Sequence, residues 1–235
     1  MPQPNNPPQP PAAPPCHESK QTLNPLPFLA IAILLLLLAP PPAPAAQTPS
    51  SDDVSTLAPR PLVEKLLAQV LVVLRDPQLT KAQRSQKVRD IAYQHIDFET
   101  LSRLTMARNW RGLSDTQRQQ FIEEFKKHLS VTYAHTTDKY TDEELTVAGD
   151  RTEPDGDHTV ETRIIGHDPG DSHQVVVKVD YRLRQRNNQW KVIDVTVEGV
   201  SLVANFRSQF QEIMANGGFD RLLKLLREKN SQNEQ

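Results

Sequence analysis

The chain has 235 residues, a formal net charge of −2 and one cysteine, Cys16. This length suffices for one sizeable domain, and the balanced charge lacks the basic excess that marks nucleic-acid-binding proteins. A single cysteine excludes a disulfide-stapled scaffold.

Proline divides the chain into two compositional regimes. Fifteen of the 20 prolines lie within residues 1–49, and residues 1–27 have a composition that cannot form a packed core. Phe28–Ala39 is an uninterrupted apolar run of 12 residues, which is short for a membrane span but matches the core of a signal peptide. Small residues follow it at positions 43–46. We therefore expect export with cleavage near Ala45, and the alternative is an uncleaved anchor or a start site placed too early.

The sequence divides into a leader and one folded domain with short polar ends. We expect a leader and signal peptide over residues 1–45, a polar tether over 46–58, a single domain over 59–230 and a polar tail over 231–235. Removing the leader removes Cys16, so the mature protein would have no thiol with which to form a disulfide, bind a metal or attack a substrate.

The first half of the domain has the patterns of helices. Leu62–Arg75 has apolar residues at helical spacing. Residues 80–83 and 114–117 have the form of capping boxes, in which a hydroxyl and a glutamine side chain satisfy the first amides of a helix. A third helix is expected from Asp97, with Leu101 and Leu104 on one face. The helix after residue 117 carries a stripe of large side chains, Phe121, Phe125, Leu129 and Tyr133.

The period then changes from that of helices to that of strands. Residues 144–148 and 159–165 flank the turn sequence at 154–156. Residues 175–184 alternate between apolar and polar side chains, which predicts a strand with one buried apolar face and one solvent-exposed polar face. A tight turn at Asn187-Asn188 leads to a partner strand over 190–197. Helical patterns return over 200–214 and 219–227, separated by Gly217-Gly218.

This order predicts an α+β fold in which N-terminal helices pack on a curved antiparallel sheet of about four strands, with C-terminal helices completing the domain. Helices packed across a curved sheet form a cone, which encloses either a filled core or an apolar pocket. The pattern of residues alone leaves both open.

Signatures of catalysis and metal binding are weak. The acidic residues between Asp150 and Glu161 do not have the spacing of a calcium loop, so we interpret them as a solvated hairpin. The histidines lack zinc-site spacing and are expected to be exposed or partly buried. The remaining enzymatic hypothesis is a pocket acid, Asp180 or Asp194, acting with a tyrosine as in an isomerase. The alternation of the strand places Asp180 on its solvent-exposed face, which argues against this hypothesis.

One segment carries a specific resemblance. The run from Trp190 to Phe210, WKVIDVTVEGVSLVANFRSQF, closely resembles the MlaC family, whose members are periplasmic phospholipid carriers also called toluene-tolerance auxiliary proteins. Shorter matches occur upstream, including residues 97–99, 109–111 and 117–121, so that the resemblance covers roughly residues 60–230. The long proline-rich leader departs from the short signal peptide usual in the family.

The resemblance implies a periplasmic carrier that holds lipid tails between helices and sheet. It also implies exchange with an outer-membrane lipoprotein complex and with an inner-membrane ABC transporter that includes a substrate-binding ring. Neither catalytic residues nor a cofactor or metal are implied. An acyl-chain-binding chaperone for lipoproteins and the isomerase are the alternatives.

A lipid carrier must bury acyl tails against apolar walls, because each exposed methylene costs about 0.8 kcal/mol. We expect the apolar stripes of the helices and strands to form these walls. The predicted lipid-binding residues are Leu101, Leu104, Phe121, Phe125, Leu129, Tyr133, Val160, Ile164, Val175, Val177, Val179, Tyr181, Ile193 and Val195. Arg163 and Arg207 are interpreted as solvated, with neutralisation of a phosphate or contact with a partner as the alternatives.

Overall fold

The computed structural model describes residues 57–134, 144–167 and 174–233. The leader and the proposed cleavage site lie outside these ranges. The elements in chain order are α1 (Pro59–Arg75), α2 (Lys81–His95), α3 (Phe98–Met106), a 3₁₀ helix (Ala107–Gly112), α4 (Asp115–Ala134), β1 (Glu144–Thr152), β2 (His158–His167), β3 (Gln174–Arg186), β4 (Gln189–Val197), β5 (Val200–Ser201) and α5 (Leu202–Asn233). No helix within the described ranges has the length and apolarity needed to cross a bilayer.

Helices α2, α3 and α4 begin where the sequence predicts. Thr80 and Gln83 form a reciprocal capping box at the start of α2, with the Gln83 side chain accepting from the Thr80 amide at 2.8 Å. Ser114 and Gln117 make the equivalent pair of bonds at the start of α4. Asp97 caps α3 by accepting from the Thr100 amide at 2.9 Å. These local bonds satisfy amides that lack partners within the helix, and they fix the helix boundaries.

The strands form one antiparallel meander in the order β1-β2-β3-β4-β5. Val160 pairs with Tyr181, which pairs with Val195, so these side chains share one face of the sheet. Asn187 and Asn188 both have positive φ, at 52° and 61°, as a two-residue hairpin turn requires. The α+β class and the antiparallel sheet are therefore confirmed, and β5 adds a short fifth strand.

The C-terminal region differs from the expectation in one respect. Val200–Ser201 is a strand rather than the start of a helix, because it pairs with Thr196 and Val197 of β4. The helix begins at Leu202 and continues to Asn233 with a break at Gly218, where φ is 68° and ψ is −169°. A side chain is strained at such a φ, which explains why glycine marks the boundary between the two helical segments.

Helices α4 and α5 pack through a cluster of phenylalanines. The rings of Phe121 and Phe125 are stacked with centroids 5.5 Å apart, and Phe206 and Phe210 of α5 meet the Phe125 ring edge-on at 5.0 and 5.2 Å. All four side chains are fully buried. Edge-to-face pairs of this kind add stability beyond that of burial alone, so this cluster is a rigid part of the core.

The acidic hairpin between β1 and β2 pairs with arginines. The Asp157 side chain is almost fully buried and accepts from Arg182 Nε at 2.8 Å and from Arg184 Nε at 2.6 Å. Arg151 pairs with Glu153 and Glu161. These carboxylates are neutralised by cations of the protein itself, so the segment is the predicted hairpin, but the expectation of a solvated segment was wrong for Asp157, which is buried.

Candidate functional site

A largely apolar cavity lies between α1, α2, α3 and the inner face of the sheet. Its volume accessible to water-sized molecules is about 160 Å³. The wall combines side chains from α1, α2, α3, α4, β3, β4 and the first residue of α5. The lining residues are Val63, Leu66, Leu67, Val70, Ser85, Val88, Arg89, Ile91, Ala92, Tyr93, His95, Ile96, Phe98, Leu101, Leu129, Ser130, Tyr181, Val192, Val195 and Leu202.

Helix α2 forms one wall of this cavity and is the most loosely held helix around it. None of its residues is fully buried, whereas α1 buries seven residues along its inner face. Its apolar residues Val88 and Ile91 are partly buried and pack against the core. A helix with half-buried side chains loses little apolar burial when it moves away from its neighbours, because hydrophobic stabilisation is proportional to the buried area.

Several polar contacts hold the C-terminal end of α2 in place. The hydroxyls of Tyr93 and Ser130 are hydrogen-bonded at 2.6 Å, joining α2 to α4. Lys126 of α4 lies 3.7 Å from the centre of the Tyr93 ring, a cation–π contact. After α2 ends, the Asp97 amide donates to the Val192 carbonyl at 2.9 Å, which attaches the chain to β4. The C-terminal end of α2 is thus anchored to both α4 and the sheet.

The structure brings four of the predicted lipid-binding residues to the cavity wall, namely Leu101, Leu129, Tyr181 and Val195. Burial raises the pKa of the Tyr181 phenol far above its usual range, so the group is neutral throughout the physiological range. These four residues come from separate elements and meet only through the tertiary fold.

The other predicted residues lie elsewhere. Phe121 and Phe125 belong to the phenylalanine cluster between α4 and α5 rather than to the cavity wall. Val160, Ile164, Val179 and Ile193 are fully buried away from the wall, and Val177 is partly buried. Val175 is 44% exposed, because it lies near the end of β3. Leu104 faces a polar cleft, and the Tyr133 side chain lies outside the described atoms.

The sequence-based selection missed most of the cavity wall. Val63, Leu66 and Val70 of α1 and Ala92 and Ile96 at the end of α2 contribute to it. Their apolar spacing was visible in the sequence as a helical stripe. The stripe does not reveal whether a helix faces packed side chains or a cavity, since either environment favours the same residues.

The residues proposed for an isomerase are not assembled. Asp180 and Asp194 line a polar cleft on the opposite face of the sheet, whereas Tyr181 faces the apolar cavity. Burial raises the pKa of Asp194. Its carboxylate accepts from the Ser201 hydroxyl at 2.5 Å and from the Val203 amide at 3.0 Å, next to the start of α5. Asp194 therefore connects β4 to this helix and stabilises its first turn.

Neither arginine considered for phosphate binding faces the apolar cavity. Arg207 Nε donates to the Leu104 carbonyl at 2.9 Å and its side chain borders the polar cleft, while Arg163 is exposed. Arg89 of α2 is at the cavity wall instead, where it donates to Gln86 at 2.7 Å. Among the described residues, no group of three or more His, Cys, Asp or Glu side chains is arranged to hold a metal ion.

One buried histidine departs from the sequence-based expectation. His128 is 1% exposed, so the prediction that all histidines are exposed or partly buried was wrong for this residue. Its Nδ1 donates to the Asn230 side chain at 3.3 Å, and its Nε2 is buried without a partner. Burial lowers the pKa of His128 to about 4. Burial and the nearby charge of Lys191 lower the pKa of His95, at the cavity wall, to about 4 as well.

These lowered pKa values predict that the protein loses stability in mild acid. The unfolded chain takes up a proton near the ordinary pKa of 6.5 and the folded chain only near 4, so acid favours unfolding between these values. Stability should be complete above about pH 6.5, and the effect of His128 alone should reach about 2 kcal/mol at pH 5. His95 should add a smaller effect, because its environment is more exposed.

Urea denaturation between pH 5 and pH 7.5 would measure this dependence. A His128→Gln variant should show a flatter pH profile than the wild type, even if it is less stable at pH 7.5. A His158→Gln variant is the control, since His158 is paired with Asp150 rather than buried without a charge partner. An unchanged slope in His128→Gln would show that this histidine does not determine the acid sensitivity.

Comparison with known proteins agrees with the geometry. The model of the MlaC protein family matches residues 64–228. A toluene tolerance protein, ttg2D of Pseudomonas putida, is 27% identical over 126 residues, which are 53% of this chain and 56% of that protein, so the match spans little more than half of the relative's length. The crystal structure of a phospholipid-binding protein from Ralstonia solanacearum, in complex with a phospholipid, superposes with a TM-score of 0.64 and 26% identity, covering 75% of this chain and 98% of the other. The chain belongs to the MlaC family.

Proposed function

We propose that this protein is a phospholipid carrier that holds acyl chains in the cavity between α1, α2, α3 and the sheet. The observation that carries the proposal is the wall itself, which is built almost entirely of apolar side chains from helices and strands. The Ralstonia protein of similar fold, which was crystallised with a phospholipid, supports the same ligand class. Leu101, Leu129, Tyr181 and Val195 are the predicted residues that we retain, together with the wall residues of α1 and α2.

The cavity must widen to accept a lipid. Its accessible volume of about 160 Å³ is below the range of roughly 300–1,000 Å³ that is typical of pockets for small ligands. Helix α2 is the element that can move, because it has no fully buried residue, whereas α4 is fixed to α5 by the phenylalanine cluster. Acyl chains would then replace the contacts that α2 loses when it moves outwards.

The few polar groups at the wall suit a ligand with a small polar head. Arg89, Tyr93, Ser130 and His95 border the cavity along α2 and α4, whereas the side from α1 and the sheet is apolar apart from the Tyr181 hydroxyl. The proposed ligand therefore places its tails against α1 and the sheet and its head towards α2. Binding would depend mainly on buried apolar area, with few directional bonds.

The cellular compartment and the partners that we propose follow from membership of the family. The carrier acts in the periplasm after removal of the leader near Ala45. It receives and delivers lipid at an outer-membrane lipoprotein complex and an inner-membrane ABC transporter with its substrate-binding ring. It catalyses no reaction and needs no cofactor, since the transferred lipid is chemically unchanged.

A lipid-uptake experiment tests the proposed function. Protein stripped of lipid by organic extraction and refolded is mixed with vesicles that contain a pyrene-labelled phospholipid, and the protein is re-isolated by size exclusion. Stoichiometric pyrene fluorescence should elute with the protein. Absence of label from a protein whose circular dichroism matches that of untreated material would contradict the proposal.

A further inference from the structure

The end of α3 and the 3₁₀ helix that follows it carry three arginines without a carboxylate partner. Arg103, Arg108 and Arg111 are exposed, and none of them has an ion pair or side-chain hydrogen bond among the described residues. The nearest carboxylates in the sequence are already engaged. Glu99 pairs with Arg186 at 2.9 Å, and Asp115 pairs with Arg118 at 3.0 Å. We refer to Arg103, Arg108 and Arg111 as the arginine patch.

This local excess of positive charge contrasts with the balanced charge of the whole chain. The whole chain has a net charge of −2, and several arginines on the sheet are paired with carboxylates, as Arg182 and Arg184 are with Asp157. The segment from Ser102 to Ser114 contains three arginines and no acidic residue or lysine. Arginine rather than lysine throughout favours bidentate recognition of carboxylates or phosphates, since its planar group presents paired donors.

The backbone holds the patch in a defined position. Ala107, at the junction of α3 and the 3₁₀ helix, has φ of 49° and ψ of −122°, a conformation that is costly for a residue with a side chain. Arg118 of α4 donates to the Trp110 carbonyl at 3.3 Å and lies 5.6 Å from the centre of its ring. In a 3₁₀ helix, residues three apart share a face, so Arg108 and Arg111 project in the same direction.

A second attachment connects the patch to the rest of the fold. Arg207 of α5 donates to the Leu104 carbonyl, next to Arg103. Helix α3 also contributes Phe98 and Leu101 to the apolar cavity. Arg103 therefore belongs to the same helix as part of the cavity wall, although it faces solvent, and Arg108 and Arg111 follow it on the adjoining 3₁₀ helix.

We propose that the arginine patch is a docking surface for an acidic face of a protein partner. Unpaired guanidinium groups on a positioned backbone are available to bind carboxylates, and their charge speeds association. The described patch has no exposed large apolar side chain, which a membrane-inserting surface would need in addition to its charges. Docking at this position leaves the α2 side of the cavity free to open.

The inference rests on the proposed carrier function, because a carrier needs a protein to receive its lipid. The probes are the purified periplasmic ring domain of the transporter and the purified outer-membrane complex of the same organism. Binding of each is measured by biolayer interferometry at several salt concentrations. The test variant is Arg108→Glu with Arg111→Glu, and the matched control is Lys65→Glu with Lys87→Glu, which makes the same charge change at exposed residues of α1 and α2.

The affinity of the test variant for at least one of these proteins should fall by at least about tenfold, and that of the control should change little. The wild-type affinity should weaken with salt. Equal binding of both variants, or no binding of the wild type to either protein, would overturn the proposal. The proposal would also be overturned if the test variant lost only its binding to vesicles that contain phosphatidylglycerol, because that result would identify a membrane surface as the partner. Native mass spectrometry of the same samples reports lipid occupancy separately, so that failure of the carrier function is distinguished from failure of docking.

Discussion

Replacing Ala92 with tryptophan should empty the cavity of lipid without unfolding the protein. Ala92 lies on α2 with its side chain at the cavity wall, and an indole group placed there would occupy the space that an acyl chain needs. Because the cavity already has unfilled volume, the larger side chain should cost little packing energy. We expect the fraction of protein that co-purifies with phospholipid to fall by at least about tenfold, with circular dichroism and urea midpoint close to those of the wild type.

Ala82→Trp is the matched control for this experiment. Ala82 lies in the first turn of the same helix but is exposed, so the same change there should leave lipid binding intact. Native mass spectrometry of the two variants measures the difference. Full lipid occupancy in a folded Ala92→Trp protein would show that the cavity described here is not where the lipid binds.

Cross-linking α2 to α4 should stop the transfer of lipid without releasing it. Burying one acyl chain of about 15 methylenes contributes more than ~10 kcal/mol at about 0.8 kcal/mol each, so escape into water without a partner is too slow for a shuttle. Transfer then requires the cavity to open along an apolar path. The phenylalanine cluster fixes α4 to α5, whereas α2 has no fully buried residue, so we expect α2 to be the wall that moves.

Tyr93 and Ser130 are suitable positions for this lock, because their hydroxyls are in contact across the two helices. A Tyr93→Cys, Ser130→Cys protein in a Cys16→Ser background is loaded with lipid and joined by a short crosslinker that contains a disulfide. Transfer to vesicles carrying the reconstituted transporter should fall by at least about tenfold and return after reduction. Each single cysteine variant, treated in the same way, is the control. Transfer by the cross-linked protein at the rate of the uncross-linked double variant would refute motion of α2 as the release step.

Local structure followed from the sequence where it depends on a few neighbouring residues. The capping boxes at Thr80 and Ser114 and the hairpin turn at Asn187-Asn188 are formed as predicted, because each is determined within four residues. The alternation along β3 correctly separated Asp180 from Tyr181. The fold class follows from the order of these local elements.

The cavity could not be located in the same way, because it depends on contacts between distant parts of the chain. Phe121 and Phe125 have the spacing expected of a ligand-binding stripe, but their partners are Phe206 and Phe210 on α5. His128 is buried because Asn230, 102 residues away, provides its hydrogen-bond acceptor. An amphipathic helix has the same residues whether it meets side chains or a lipid.

The central claim is that the cavity carries a phospholipid, and the mass of the freshly purified protein under native conditions tests it most directly. We predict a population heavier than the bare chain by the mass of one or more phospholipids, which dissociate as intact lipids on collisional activation. A homogeneous folded protein with only the mass of its own chain, purified without detergent from cells that contain abundant phospholipid, would contradict the claim.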